Sequence, residues 1–135
     1  MALKFGDRIK ETTSTSGVSD ISLGGAVATF AAFSTILSNG DSTYYTLVDG
    51  SNWEIGYGVY ASSGNTLSRT NANVLQSTNS DNRISLTGDG AEIFITLPAD
   101  KVIALNNSNE MVIDGGTYLN ATANRYSYLV SGSTQ

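Results

Sequence analysis

The chain has 135 residues, of which 40% are hydrophobic, and this length and apolar content correspond to a single domain with a modest core. It contains no cysteine and no histidine, which excludes disulfide bridges, thiolate nucleophiles, zinc–thiolate sites and every catalytic arrangement that depends on an imidazole. Its net charge is −5 and its seven cationic residues are mostly isolated along the sequence, so no basic stripe suits it to nucleic acid.

The first third of the chain predicts two strands and one helix. Residues 4–13 form a charged, alternating strand, and residues 18–23 predict a second strand. Apolar residues then recur at three- and four-residue spacing, which predicts one short helix at about residues 26–37. We expect Phe30 and Phe33, on this helix, to close one end of a sheet as core residues.

The strongest pattern lies in the middle of the chain. Residues 43–60 predict a β-hairpin, because two aromatic and β-branched runs flank a Gly- and Asn-containing turn at 49–52. Side chains of the second run alternate between two faces. The set that we expect to face the core is Trp53, Ile55, Tyr57 and Val59. The set that we expect on the exposed face is Glu54, Gly56, Gly58 and Tyr60.

The rest of the chain predicts a second hairpin and a C-terminal arm. Residues 83–86 and 92–97 flank a Gly-Asp-Gly turn, and Pro98, the only proline, ends the second of these strands. We therefore divide the chain into a β core domain, residues 1–100, and a C-terminal arm or oligomerisation segment, residues 101–135.

Together these elements predict a mainly β fold, a small antiparallel β-sandwich or barrel with one short helix and a C-terminal β arm. Because almost no proline protects the sheet edges, we hypothesise that other chains cover them. The N-terminus lacks the apolar segment of a secretory signal, and no run approaches the roughly 20 apolar residues that span a bilayer. We expect a soluble chain made in a cytoplasm, with neither a membrane nor nucleic acid as partner.

Two groups of polar residues leave alternatives open. Arg69 lies in an apolar run, and it either faces solvent or points inward to a carboxylate, for which Glu54 and Glu92 are candidates. Carboxylates at positions 49, 81 and 89 could bind calcium, yet Asp, Asn and Gly are also typical of tight turns, and no twelve-residue calcium loop is present. We favour turns, and we predict no catalytic residue, no metal site and no cofactor.

Tyrosine residues are the candidate functional side chains. Tyr44 and Tyr45 are adjacent in a strand and must point to opposite faces, so we expect one of them to be exposed. Tyrosine is enriched at protein interfaces, which favours an interface over a sugar-stacking platform. The predicted interface residues are Tyr44, Tyr45, Tyr118, Tyr126 and Tyr128.

Seven short motifs follow one another along the chain, namely DRIKETT (7–13), SLGGAV (22–27), DSTYY (41–45), NWEIG (52–56), GVY (58–60), TLSRT (66–70) and FITLPADK (94–101). In this order they resemble a β module that is widespread in the structural proteins of tailed bacteriophages. The resemblance covers about residues 5–105. The chain departs from the family at 80–83, where the family tends to carry a nonpolar or glycine-containing insert, and residues 106–135 align with nothing in it.

The resemblance implies a noncatalytic virion structural protein that is assembled in the cytoplasm of the host bacterium. The favoured expectation is a capsid decoration or cement protein that stabilises the head shell through multivalent β-domain contacts. The alternatives are a tail adaptor or short tail appendage and, from a different class, a host-glycan-binding module. The expected partners are the major capsid protein or other virion structural proteins, and further copies of the chain in a homo-oligomer, with a trimer favoured.

Overall fold

The computed structural model describes residues 2–105, 107 and 111–113. The chain divides into two compact units, Met1–Pro98 and Ala99–Gln135, and the sequence-based boundary at residue 100 lies near this division. The strands of the first unit are β1 (Lys10–Thr13), β2 (Ser16–Gly17), β3 (Ile21–Ser22), β4 (Ser42–Asp49), β5 (Asn52–Ala61), β6 (Thr66–Leu67), β7 (Val74–Ser77), β8 (Leu86–Thr87) and β9 (Ala91–Ile95). Within the second unit, β10 (Ile103–Leu105) pairs antiparallel with β11 (Met111–Ile113). Short 3-10 helices occupy Phe33–Thr35, Asn71–Asn73 and Ala99–Lys101.

Seven strands of the first unit form one antiparallel sheet. Its order is β1-β9-β4-β5-β6-β3, and β7 also pairs with β5, while β2 and β8 form a separate two-stranded sheet. The prediction of a mainly β fold of the small antiparallel sandwich or barrel type is confirmed. No helix among the described residues is long and apolar enough to cross a membrane.

The central hairpin is where the sequence predicted it. Strands β4 and β5 pair in continuous register from Ser42 opposite Val59 to Asp49 opposite Asn52. Gly50 in the turn has φ 63°, a left-handed conformation that glycine adopts without steric cost. The predicted turn at 49–52 is therefore confirmed.

The two faces of β5 are the reverse of the prediction. Glu54, Gly56 and Tyr60 point into the core, and the larger apolar residues of the strand point outward and are partly or fully exposed. The inward glycines leave room for core side chains, because a Cβ atom on Gly56 would lie 2.7 Å from Tyr45 Oη, and one on Gly58 would lie 2.7 Å from Leu67 Cγ. Both distances are too short for real contacts, so the core fills the space over these glycines.

The predicted helix at about 26–37 is wrong in extent, because only Phe33–Thr35 is helical. A longer helix would need the Phe33 N–H to bond to the Thr29 carbonyl. Instead the Phe33 N–H donates to Glu11 Oε2 at 2.7 Å, and the Thr29 carbonyl accepts from the Arg8 guanidinium. The Ala31 N–H likewise donates to the Arg8 carbonyl at 2.8 Å. The segment is thus bonded to the chain around β1 rather than to itself.

The core lies against the inner face of the seven-stranded sheet. Phe33 is fully buried there, as predicted, whereas Phe30 is partly exposed and lies 4.3 Å from the Arg8 guanidinium carbon, measured to its ring centroid. The buried cluster consists of Ile9, Ile21, Leu23, Phe33, Leu37, Tyr45, Leu47, Tyr60, Leu67, Ile84, Leu86, Ala91 and Ile93.

The predicted second hairpin is also wrong. β8 pairs with β2, and β9 lies between β1 and β4. The free edge of β1 is covered by residues 24–31 of the same chain, through bonds such as Thr12 N–H to the Gly25 carbonyl and Val27 N–H to the Lys10 carbonyl, both 3.0 Å. This edge is therefore protected within one chain, and not by another chain as we had hypothesised for the edges.

Candidate functional site

The outward side chains of the central strands form one continuous patch. Because residues that face each other across an antiparallel pair lie on the same side of the sheet, the register decides its members. Tyr44 lies opposite Tyr57 and Val48 opposite Trp53, and Thr46 lies opposite both Ile55 and Phe94. All are partly exposed. We call the aromatic and aliphatic part of this patch, with Thr46, the outer aromatic face, made up of Tyr44, Thr46, Val48, Trp53, Ile55, Tyr57 and Phe94. The polar residues Lys10, Gln76 and Glu92 lie opposite Phe94, Ile55 and Val48 on the same side of the sheet and border it.

Three aromatic rings at one end of this face pack on one another. The rings of Phe5 and Tyr44 stack with their centroids 6.2 Å apart and an interplanar angle of 13°. Tyr44 also meets Tyr57 edge to face, at 5.3 Å and 67°. Aromatic pairs in these geometries add about 0.5–1.5 kcal/mol beyond their buried area, so the rings hold one another in fixed positions before any partner binds.

The outer aromatic face carries little net charge. Where β1 and β9 adjoin it, Lys10 Nζ lies 2.8 Å from Glu92 Oε1 and 5.6 Å from the Phe94 ring centroid. The ammonium group is thereby neutralised by the carboxylate and held against the ring. The whole chain has a net charge of −5, but Lys10 and Glu92 cancel each other beside this face. A negatively charged partner is therefore not repelled by these two groups.

Beneath the face lies a buried charge network. Glu54 is completely buried and Arg69 is 1% exposed, and Arg69 Nη1 lies 2.8 Å from Glu54 Oε2. Tyr45 donates its hydroxyl to Glu54 Oε1 at 2.8 Å, and the Ile84 N–H donates to Glu54 Oε2 at 2.7 Å. Of the alternatives for Arg69, the inward one paired with Glu54 is the one present. Burial, with the neighbouring carboxylate, raises the pKa of Tyr45 above its ordinary value of 10.0.

The same arginine fastens a loop to the sheet. Arg69 Nη2 donates to the Gly17 carbonyl and Nε to the Ser19 carbonyl, each at 2.8 Å, and its backbone N–H donates to Asp20 Oδ1 at 3.1 Å. The Nη1 group also reaches the Ile84 carbonyl at 3.0 Å. Together with the ion pair to Glu54 in β5, these bonds join Arg69 to chain segments distant in sequence, so the buried network holds the fold together.

The predicted interface residues separate in the structure. Tyr44 is partly exposed on the outer aromatic face. Tyr45 is completely buried, so its assignment as an interface residue is wrong, and the reason is the hydrogen bond that its hydroxyl makes to Glu54. The other three predicted residues, Tyr118, Tyr126 and Tyr128, lie outside the described residues.

Sequence reasoning missed most of the outer aromatic face. The sequence predicts Trp53 and Tyr57 in the core, because one aromatic face of a half-buried hairpin is usually buried, whereas both are partly exposed. Phe94 lies in the strand predicted at 92–97, but nothing in the sequence states that its neighbour across the sheet is Thr46. The sequence does contain one signal for the inward face of β5, because Glu54 is a candidate partner for an inward-pointing Arg69.

Two of the three carboxylates considered for calcium hold turns and loops. Asp49 accepts from both the Thr87 N–H at 2.7 Å and the Thr87 hydroxyl, and Asp81, at φ 60°, accepts from the Ser77 N–H at 3.1 Å. Within the described part of the chain, no group of three or more metal-ligating side chains lies close enough to hold an ion.

Comparisons with family models, with curated proteins and with solved structures found no match for this chain. Its function is therefore argued from the outer aromatic face and from the network beneath it.

Proposed function

We propose that the chain is a noncatalytic structural protein of a tailed-bacteriophage particle, where it decorates or cements the head shell. In this proposal it binds the major capsid protein or another virion protein and assembles as a homo-oligomer, with a trimer favoured. The observation that carries the proposal is the outer aromatic face, which is aromatic, poor in net charge and partly exposed. Such patches are typical of the centre of protein interfaces. The order of the seven motifs supports a phage particle as the setting.

The geometry suits binding by many weak contacts. The face is built on paired strands, and Phe5, Tyr44 and Tyr57 already pack on one another, so little side-chain freedom is lost on binding. Completing the burial of one large aromatic side chain contributes about 1.5–3 kcal/mol at most. A patch of this kind gives each copy a modest affinity, and many copies on a repetitive shell then act together.

The ionisable groups of the interior support a noncatalytic role. Glu54 accepts from both Arg69 and Tyr45, and Glu11 is 1% exposed and accepts from the Gly25 and Phe33 N–H groups at 2.9 and 2.7 Å. Each of these side chains satisfies a partner inside the fold, as buried polar groups must. None of the four is presented to a substrate.

The positions of Tyr44 and Tyr45 do not favour a glycan-binding role. A sugar ring stacks on a free aromatic face, but Tyr44 is stacked by Phe5 and met by Tyr57, and Tyr45 is buried. The exposed part of Trp53 is the remaining candidate for such stacking, and a glycan array with the Trp53→Ser variant examines it directly.

The test uses phage particles that lack this protein and a titration with the purified chain. We expect Trp53→Ser and Tyr57→Ser each to weaken binding by about 30-fold or more, the effect of removing a central aromatic residue from an interface. Ser63→Ala, in an exposed turn, is the matched control and should bind normally. If both outer-face variants saturate the particles as the unaltered chain does, the face is not the contact surface.

Quantified gel bands of purified particles decide between the head and the tail. A copy number comparable to that of the shell protein supports head decoration. A copy number near that of tail components supports the alternative, a tail adaptor or short appendage. Particles that never contain the protein contradict both.

A further inference from the structure

Residues 2–5 lie along the start of β4 as a separate short segment, which we call the N-terminal strap. The Lys4 N–H donates to the Ser42 carbonyl at 2.9 Å, the Ser42 N–H donates to the Ala2 carbonyl at 2.8 Å, and Leu3 forms a parallel bridge with Ser42. β9 pairs with β4 only from Tyr45 onward. The strap therefore occupies the stretch of β4 edge that β9 leaves uncovered.

An ionic clamp and an aromatic contact complete the attachment of the strap. Asp41 accepts the Ala2 N–H at 2.9 Å through Oδ1, and its Oδ2 lies 2.7 Å from Lys4 Nζ. Phe5 stacks on Tyr44. Each of these contacts joins the strap to Asp41 or to β4, so the strap and its receiving edge form a matched pair.

Few side-chain atoms of the strap are buried, and the turn that follows it is strained. Leu3 is 51% exposed and Phe5 is 42% exposed. Arg8 has φ 58°, a left-handed conformation that is unfavourable for a residue with a Cβ atom. Its guanidinium group is bonded to Thr29, which itself has φ 70°. Short, strained hinge loops favour the exchange of the segment they connect.

We propose that the N-terminal strap is exchanged between copies of this chain, so that residues 2–5 of one copy occupy the β4 edge of another. Every copy carries both the strap and the edge that receives it, so the same bonds to Asp41, Ser42 and Tyr44 form between chains. Opening the hinge at residues 6–8 also releases Arg8 from its left-handed conformation. This inference specifies how copies join, and its link to particle assembly rests on the proposed function.

Because the chain has no cysteine, introduced thiols report strap docking without interference. Leu3→Cys and Ser42→Cys variants are made separately in the full chain, refolded together and treated with a short bifunctional thiol reagent. Exchange predicts a covalent dimer that contains one copy of each variant. In a single chain that carries both substitutions, exchange predicts linked dimers or larger closed rings. Linkage only within single chains, with no dimer from the mixed variants, overturns the proposal.

Two controls exclude chance encounters. Thr12 lies opposite Glu92 beyond the hinge, so separate Thr12→Cys and Glu92→Cys variants should give no dimer when mixed. Arg8→Gly and Arg8→Ala both remove the guanidinium contacts, but only glycine relieves the left-handed strain. We expect the dimer level of Arg8→Gly to be lower than that of Arg8→Ala by about 5-fold or more. Equal levels contradict the role of the hinge.

Strap exchange is measured by cross-linking of the purified protein, and particle binding is measured separately on virions. A chain that exchanges its strap but does not bind particles contradicts the proposed function alone. A chain that binds particles as a monomer, with its strap closed on itself, contradicts the exchange alone.

Discussion

Replacing Arg69 by methionine should destabilise the first unit severely, because it leaves the Glu54 carboxylate buried in the core without its cationic partner. The carboxylate would keep its bonds from the Tyr45 hydroxyl and the Ile84 N–H, but it would lose the Arg69 guanidinium, its cationic partner at 2.8 Å. Removing one member of a buried ion pair costs about 3–5 kcal/mol. For a urea m-value of about 2 kcal/mol/M, a loss of 4 kcal/mol lowers the unfolding midpoint by about 2 M.

The assay is urea unfolding followed by the fluorescence of Trp53, the only tryptophan, which lies in β5 of this unit. Arg83→Met is the matched control. Arg83 is also hydrogen-bonded, to Asn71 Oδ1 at 3.0 Å and to the Val18 carbonyl at 2.7 Å, but at the surface, so its loss should cost about 1 kcal/mol or less.

A double-mutant cycle identifies the cause of the destabilisation. If the unpaired buried carboxylate is responsible, adding Glu54→Gln to Arg69→Met should recover part of the lost stability. The effects of the two changes on the free energy of unfolding should then be strongly non-additive. The reasoning is refuted if the cycle is additive to within about 0.5 kcal/mol, or if Arg69→Met costs no more than Arg83→Met.

Three further predictions concern pH and packing. The raised pKa of Tyr45 means that its contribution to stability is full below its ordinary value of 10.0 and falls as the pH rises beyond it, so Tyr45→Phe should flatten the alkaline side of a urea stability profile. The pKa of Asp41 is held below its ordinary value of 3.8, first by Lys4 and then by backbone N–H groups, so its contribution is full above that pH and is lost as the pH falls further; an Asp41→Asn variant with an unchanged acid slope would contradict this. Gly56→Ala should cost about 1–3 kcal/mol in thermal or urea unfolding, because the new methyl group lies 2.7 Å from Tyr45 Oη, whereas Gly64→Ala, whose nearest neighbour is 3.5 Å away, should be nearly neutral.

Local patterns in the sequence were sufficient for the elements that depend on near neighbours. The hairpin formed by β4 and β5 follows from two alternating runs around a turn at 49–52, and both the turn and the mainly β class are confirmed. The helix at 26–37 followed from an equally local pattern and was wrong, because Glu11 and Arg8 take the backbone groups that a helix would need. A spacing of apolar residues does not reveal such competitors.

What the sequence by itself determined was the period of β5, and with it the two sets of side chains that must lie on opposite faces. Which set is buried was decided only in the tertiary structure. The charge of Glu54 is acceptable inside because Arg69 is brought beside it, and Gly56 belongs inside because the Tyr45 ring fills the space above it. Burial of a charge depends on a partner that is distant along the chain, and so the outer aromatic face, with Trp53 and Tyr57 upon it, could be located only once strands, loops and core had packed together.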